Sequence, residues 1–270
     1  MTVLKVGELD VHLQWLPPSG EEGDRPPPTV VFVHGLLYDS LASYYFTVAP
    51  ALAEAGIGVL MYDLRGHGRT SRPAEGYRLE HFVDDLDALL DAAGVTGPVH
   101  LVGNCFGGTI AFGHAAVRPD RVASIIAMEC EPPIPRWAEH IGTGMAEAKA
   151  KLAAPEAIEW VKREHGAHVG RLTKTAAKIL RVTTIAEDLP RSRTIDPSLV
   201  DVRCPVLAVF GDESGLAGQR EELESGLGRC EVVVLEEQGH SVLVERPGEI
   251  VDLVLGWVRR NAAAELEEAG

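Results

Sequence analysis

The chain has 270 residues, 46% of them hydrophobic, and a formal net charge of −15 at pH 7. That is enough apolar material for a substantial core, and a chain of this size is read as an α/β domain with an insertion. The surplus of carboxylates argues against a nucleic-acid or anionic-membrane surface, which would need clustered Lys and Arg. No run reaches the ~18 apolar residues of a membrane span, and Met1 to Asp10 lacks the basic and apolar regions of a secretion signal, so a cytoplasmic location is expected. Cys105, Cys130, Cys204 and Cys230 show no C-x-x-C or Cys/His ligand spacing. Reduced thiols, no metal and no other cofactor are the expectation.

Val3 to Leu16 alternates apolar and polar residues around Gly7-Glu8, the pattern of a hairpin, and Pro17 to Pro28 reads as a stiff, charged surface connection. Thr29 to Val33 is a β-branched apolar run, the mark of a strand buried on both faces of a parallel sheet. It ends in His34-Gly35-Leu36-Leu37. A helix is expected over Leu41 to Ala55 and a strand over Gly58 to Tyr62, ahead of a glycine-punctuated loop from Asp63 to Ser71. His67 in that loop sits among glycines and arginines, which suits tying down backbone better than proton transfer. Leu79 to Ala93 reads as a helix with Phe82, Leu86, Leu89 and Leu90 on one face.

Between the apolar run Val99 to Val102 and a helix-like run from Thr109 to Ala116 lies Gly103-Asn104-Cys105-Phe106-Gly107-Gly108. Strand, sharp turn and helix with a nucleophilic side chain at the tip is the context of the G-x-S-x-G elbow, here with Cys at the centre. A strained turn requires small residues two places to either side, and N–H groups at the helix start favour thiolate. A buried Cys packing as a small hydrophobe is the competing reading; the flanking strand, glycines and helix favour the nucleophile.

Val122 to Met128 is a further buried strand, followed by Glu129-Cys130-Glu131 and a proline-rich exit. From Arg136 to Arg193 there are 11 Lys or Arg against 7 Asp or Glu, in helix-like stretches His140 to Ala153, Pro155 to His165 and Arg171 to Thr184. This segment is read as a lid over the strand ends. Its basic face suits an anionic substrate tail, such as a phosphopantetheine or an acidic carrier protein, or simply solvent. The strand Val206 to Phe210 ends in Gly211-Asp212-Glu213-Ser214, and Val232 to Leu235 is followed by Gln238-Gly239-His240, a placement that can deliver a general base. Leu243 to Trp257 closes the fold as an amphipathic helix interrupted at Pro247, with an acidic frayed tail from Ala262 to Gly270. Strands alternating with helices predict a mostly parallel sheet with its chemistry at the carboxyl ends of the strands.

Taken together, His34-Gly35, Asp63-Leu64-Arg65-Gly66-His67-Gly68, the Cys105 elbow and Gly239-His240 resemble the α/β-hydrolase superfamily over nearly the whole chain. The resemblance implies an α/β-hydrolase fold: an eight-stranded, mostly parallel sheet flanked by helices, with a helical cap inserted after the sixth strand. On that basis residues 1–131 and 198–270 form the core and 132–197 the cap. Cys105 takes the nucleophile position and His240 the base, with the N–H groups of Leu36 and Phe106 as the oxyanion hole. His34, Gly35, Cys130 and Trp137 are assigned to the substrate pocket. The common acid position after the seventh strand falls on Ser214, and Asp212 and Glu213 are out of register. The stretch from Arg121 to Trp137 resembles haloalkane dehalogenases and related luciferases, which place a Glu after the sixth strand, so Glu129 is the preferred acid and Asp212 the alternative. Dehalogenation itself is not implied, because it needs an Asp nucleophile and halide-holding Asn and Trp where this chain has Cys105, Leu36 and Phe106. The elbow also resembles dienelactone hydrolases, whose compact form matches neither the Asp63 to Ser71 loop nor the long cap.

The expected chemistry is acyl transfer on an ester or thioester through an acyl-cysteine, as a hydrolase, thioesterase, acyltransferase or cyclase of a biosynthetic pathway. The partner is a small-molecule acyl substrate, free or carried on CoA or a carrier protein, with a mid-sized, partly apolar acyl group. Two other readings stay open: elimination or C–C cleavage with His240 as a non-covalent base, and a ligand receptor that keeps the fold without catalysis. The oligomeric state is left open.

Overall fold

The computed structural model describes residues 2–20 and 27–268, so much of the charged connection after Pro17 and the last two residues of the acidic tail lie outside the described residues. Strands β1 (Thr2–Val6) and β2 (Leu9–Leu16) form the antiparallel hairpin, with Val6 opposite Leu9. The remaining strands are β3 (Thr29–Val33), β4 (Gly58–Tyr62), β5 (Val99–Asn104), β6 (Val122–Met128), β7 (Val206–Gly211) and β8 (Cys230–Leu235). They run parallel to one another in a single eight-stranded sheet of order β1-β2-β4-β3-β5-β6-β7-β8, to which the hairpin adds through antiparallel pairing of β2 with β4. The chain order of β3 and β4 is reversed in space, which puts β3 beside β5: Val33 faces Gly103, and Asn104 faces Met128 across the next gap. The carboxyl ends of β3, β5 and β6 therefore emerge side by side.

The sheet is buried on both faces because its inner strands are mostly apolar, and the polar His100 of β5 and Ser124 of β6 bond each other at 2.8 Å. Along β3, Val31 and Val33 enter one core cluster and Val30 and Phe32 the other, as the period of two requires. The first cluster packs under α3 (Leu79–Ala92) and α4 (Phe106–Val117), where Phe82, Leu86, Phe106, Ile110 and Phe112 are buried. The second packs under α1 (Ala42–Tyr45) and α2 (Ala49–Glu54). The sequence predicts one helix over Leu41 to Ala55, but the structure divides it. Pro50 stands in the first turn of α2, where it lacks an N–H to bond back and its ring would clash with a preceding helical carbonyl.

Between β6 and β7 lie α5 (Pro135–Lys151), α6 (Pro155–Val182) and α7 (Ile185–Asp188). The first begins at Pro135 rather than His140, because proline is well suited to the first helical turn. The expected second and third helices are joined in α6 across a break at Gly166, whose φ of 86° and ψ of 169° are not helical. This segment is tied to the start of α3 and the loop before it by polar bonds: the Tyr77 N–H donates to Asp188 at 3.0 Å and the Leu79 N–H to Ser192 Oγ at 2.8 Å. The chain ends with α8 (Arg220–Gly226), α9 (Val242–Glu245) and α10 (Pro247–Glu268). The interruption at Pro247 is as expected, but the tail anticipated from Ala262 is helical as far as Glu268. Among the described residues no helix is long and apolar enough to cross a membrane.

Phe82 links this core to the elbow: it is 1% exposed, its ring meets Phe106 edge-on at 5.0 Å, and Tyr77 lies 6.2 Å away. Truncation to Phe82→Ala leaves a large void and is expected to cost about 3–5 kcal/mol. A urea titration should show a lower midpoint with an unchanged slope.

Candidate active site

The turn between β5 and α4 puts Cys105 at φ 52° and ψ −123°, outside the relaxed regions for an L-residue. Hydrogen bonds hold it there: the Cys105 N–H donates to Met128 O at 2.8 Å, and its carbonyl accepts from the Gly108 N–H at 3.0 Å. The glycines are required by close approach. A Cβ on Gly103 would fall 2.3 Å from Gly108 N, and one on Gly107 would fall 1.8 Å from Val33 O. The start of α4 is thus pressed onto the end of β3, which brings the loop after Val33 against Cys105.

Glu129, the first residue past β6, is fully buried and has a φ of 48°. Its Oε1 accepts the Gly211 N–H at 2.6 Å, and its Oε2 accepts the His240 Nδ1–H at 2.9 Å. The influence of the Cys105 side chain, ahead of the bond to Glu129, raises the pKa of His240 from 6.5 to about 10. The raised pKa favours protonation of both ring nitrogens, with the Nδ1–H on the carboxylate. The structure brings Cys105, His240 and Glu129 together. Asp212 stays apart: it is exposed, its Oδ1 accepts the Gln238 N–H at 3.1 Å, and backbone hydrogen bonds of this kind hold its carboxyl below the usual range.

His34 and Gly35, expected in the substrate pocket, are instead buried beneath it. His34 Nε2 accepts the Leu64 N–H at 3.0 Å, while Nδ1–H donates to Gly35 O at 2.7 Å. His67 does the converse, accepting the Leu37 N–H at 2.9 Å and donating to Arg65 O at 2.9 Å. Each imidazole crosses to the other's loop, and the rings meet at 5.4 Å. Burial lowers the pKa of His67 to about 3, as its acceptor role demands. Asp63 fastens the second loop by accepting N–H groups from Leu41 and Arg69 and bonding His12 Nδ1 at 2.7 Å. The conformation of the first loop follows: Leu37 is at φ 63°, and Tyr38 N–H donates back to Leu36 O at 2.7 Å.

Cys105, His240 and Glu129 open on a cavity of about 170 Å³ whose walls include Leu36, Phe106, Cys130 and Trp137. Trp137 on α5 stacks on Phe106 at 6.2 Å and 14° between ring planes, so the helical segment reaches the elbow directly. The Cys130 thiol is buried near Gly108, and burial pushes its pKa well above the ordinary thiol value. All four cysteines are free. The cavity is smaller than the ~300–1,000 Å³ typical of small-molecule sites. Glu131 and His140 also line it and escaped the sequence reading. His140 Nδ1 lies 3.1 Å from both Glu131 oxygens, and Arg136 Nε is 3.5 Å from one of them. The nearest clue was a carboxylate one proline pair ahead of a histidine in a helix-like run. A larger cavity of about 590 Å³, lined by Lys149, Lys174, Lys178 and Arg181, lies between α5 and α6 and shares no residue with this one. Among the described residues no group of three or more His, Cys, Asp or Glu is placed to hold a metal ion.

The reversed strand order, the elbow after β5 and the imidazole delivered after β8 define a hydrolase of the α/β class. The family model for the alpha/beta hydrolase fold matches residues 28–193. A haloalkane dehalogenase of Bradyrhizobium diazoefficiens is 29% identical over 214 residues, covering 77% of this chain and 67% of that protein. An sn-1-specific diacylglycerol lipase of Mus musculus is 26% identical over 275 residues, covering 93% of this chain and 88% of that one. A solved thermophilic esterase from Thermogutta terrifontis has a TM-score of 0.67 at 20% identity, covering 96% of this chain and 98% of its own. The chain belongs to the α/β-hydrolase superfamily.

The charge state of His240 can be checked by ¹⁵N NMR of the imidazole. Both nitrogens should stay protonated through neutral pH and titrate near 10. In Cys105→Ala the larger of the two upward influences is gone, so the titration should move down toward 6.5.

Proposed function

We propose that the protein transfers acyl groups from an ester or thioester, with Cys105 as nucleophile, His240 as its acid–base partner and Glu129 as the residue that orients His240. The observation that carries this reading is the imidazole held between a thiol at a strained elbow and a fully buried carboxylate. Transfer of the Cys105 proton to His240, favoured by the raised pKa of the imidazole, frees the sulfur to attack the carbonyl. The developing oxyanion is received by the N–H groups of Phe106, next to the nucleophile, and Leu36, whose loop is locked by the crossed imidazoles; each such donor contributes about 3–4 kcal/mol. His240 then gives its Nε2 proton to the leaving alcohol or thiol, and an acyl-cysteine remains.

That intermediate is itself a thioester, open to water or to another nucleophile. Hydrolysis is the default outcome in a cavity this near solvent: the His240 side chain is 55% exposed. The lipase among the relatives supports ester chemistry, whereas the dehalogenase reaction lacks its Asp nucleophile here. The helical segment that reaches Phe106 through Trp137 serves as the cap and selects what lies beyond the first few carbons of the acyl chain.

Incubation with a short-chain acyl thioester should add the acyl mass to Cys105 in an intact-protein spectrum, and Cys105→Ala should lose both adduct and turnover. Wild-type turnover in Cys105→Ala would refute the covalent route and favour His240 acting as a base alone. Glu129→Gln should lower kcat by about 10²-fold or more, while Asp212→Asn leaves it unchanged; the opposite pattern would move the acid to Asp212.

A further inference from the structure

The cavity beside Cys105 contains a second imidazole backed by a carboxylate, and the route just described leaves it without a task. Glu131 is 9% exposed, and its backbone oxygen accepts from Thr109 Oγ1 at 2.8 Å, so it is anchored to α4. Its charge already has Arg136 beside it. His140 nevertheless sits with Nδ1 equidistant from the two carboxylate oxygens. That geometry uses the Nδ1–H as donor and fixes the ring, as Glu129 does for His240. Among the described residues no protein group bonds His140 Nε2. The ring lines the same 170 Å³ space as Cys105 and His240, room for roughly five or six water molecules at ~30 Å³ each.

We propose that His140, oriented by Glu131, is the base for the acyl acceptor, acting from the α5 wall of the cavity on the water or alcohol that resolves the acyl-cysteine. The inference rests on the acyl-cysteine reading and extends it to the second half-reaction. The acceptor hydroxyl gives its proton to His140 Nε2 as its oxygen bonds to the acyl carbon. The carbon–sulfur bond breaks with its electron pair returning to Cys105, and His140 releases the proton to solvent. His240, which has handed its own proton to the first leaving group, regains one from solvent and re-forms its pair with the thiolate. Separate bases for the two halves leave His240 matched to sulfur and His140 to oxygen. Glu131 acts through His140 and is a positioning residue.

Rapid-quench intact-mass measurement with a short acyl thioester separates formation of the acyl-enzyme from its breakdown. His140→Gln should form acyl-Cys105 at close to the wild-type rate and break it down about 10²-fold more slowly, with the adduct accumulating; Glu131→Gln should shift breakdown the same way by less. Near-UV circular dichroism checks folding, and His140→Asn repeats the test with a shorter side chain. Unchanged breakdown in both His140 variants, or acylation slowed as much as breakdown, overturns the proposal while the acyl-cysteine stands. Failure of the wild-type protein to gain any acyl mass on Cys105 overturns both together.

Discussion

One buried carboxylate holds the site together. Glu129 leaves β6 in a left-handed conformation, bonds the backbone at the end of β7 through one oxygen and the His240 ring through the other. A carboxyl group sealed from water needs partners for its oxygens, and each oxygen of Glu129 has one. The requirement runs both ways. Gly211 must lack a side chain, since a Cβ there would fall 2.1 Å from Gln238 O, so β7 can press against the loop that brings in the imidazole. Three segments distant in the chain are thereby locked to one another around a single functional group.

The other side of Cys105 is framed by two buried imidazoles. His34 and His67 each stand next to a glycine on a loop at a strand end, and the sequence reads His67 as a tie for its loop and His34 as a pocket residue. Buried, they act as rigid braces, each ring accepting an N–H from the opposite loop. The two loops can move only together, and the Leu36 N–H is carried with them. Asp63 extends the brace to β2 through His12.

What the sequence made legible follows from how local each determinant is. Thr29–Val33, Gly58–Tyr62 and Val122–Met128 are continuous apolar runs buried on both faces, and their bounds match the reading because no other element suits such a pattern. The Cys105 elbow is equally local, since its glycines answer clashes with neighbouring backbone. The single helix expected over Leu41 to Ala55 is divided near Pro50, whose breaking effect is also local. By contrast, His34 was placed in the pocket because its partner, Leu64 N–H, comes from a separate loop. Glu131 and His140 were missed for a similar reason: their pairing depends on where α5 starts, and that depends on a proline exit whose direction no periodicity encodes.

Cys105, Glu129 and Leu37 share a backbone state that costs an ordinary side chain of order 1–3 kcal/mol. Together they represent a sizeable part of the roughly 5–15 kcal/mol by which a domain outlasts its unfolded chain. A search for heat-resistant variants guided by residue preference alone would choose these positions first and install glycine. Two of those changes would delete the sulfur and the carboxylate outright. At Cys105 and Glu129, then, a gain in durability would come at the expense of the side chains that meet His240.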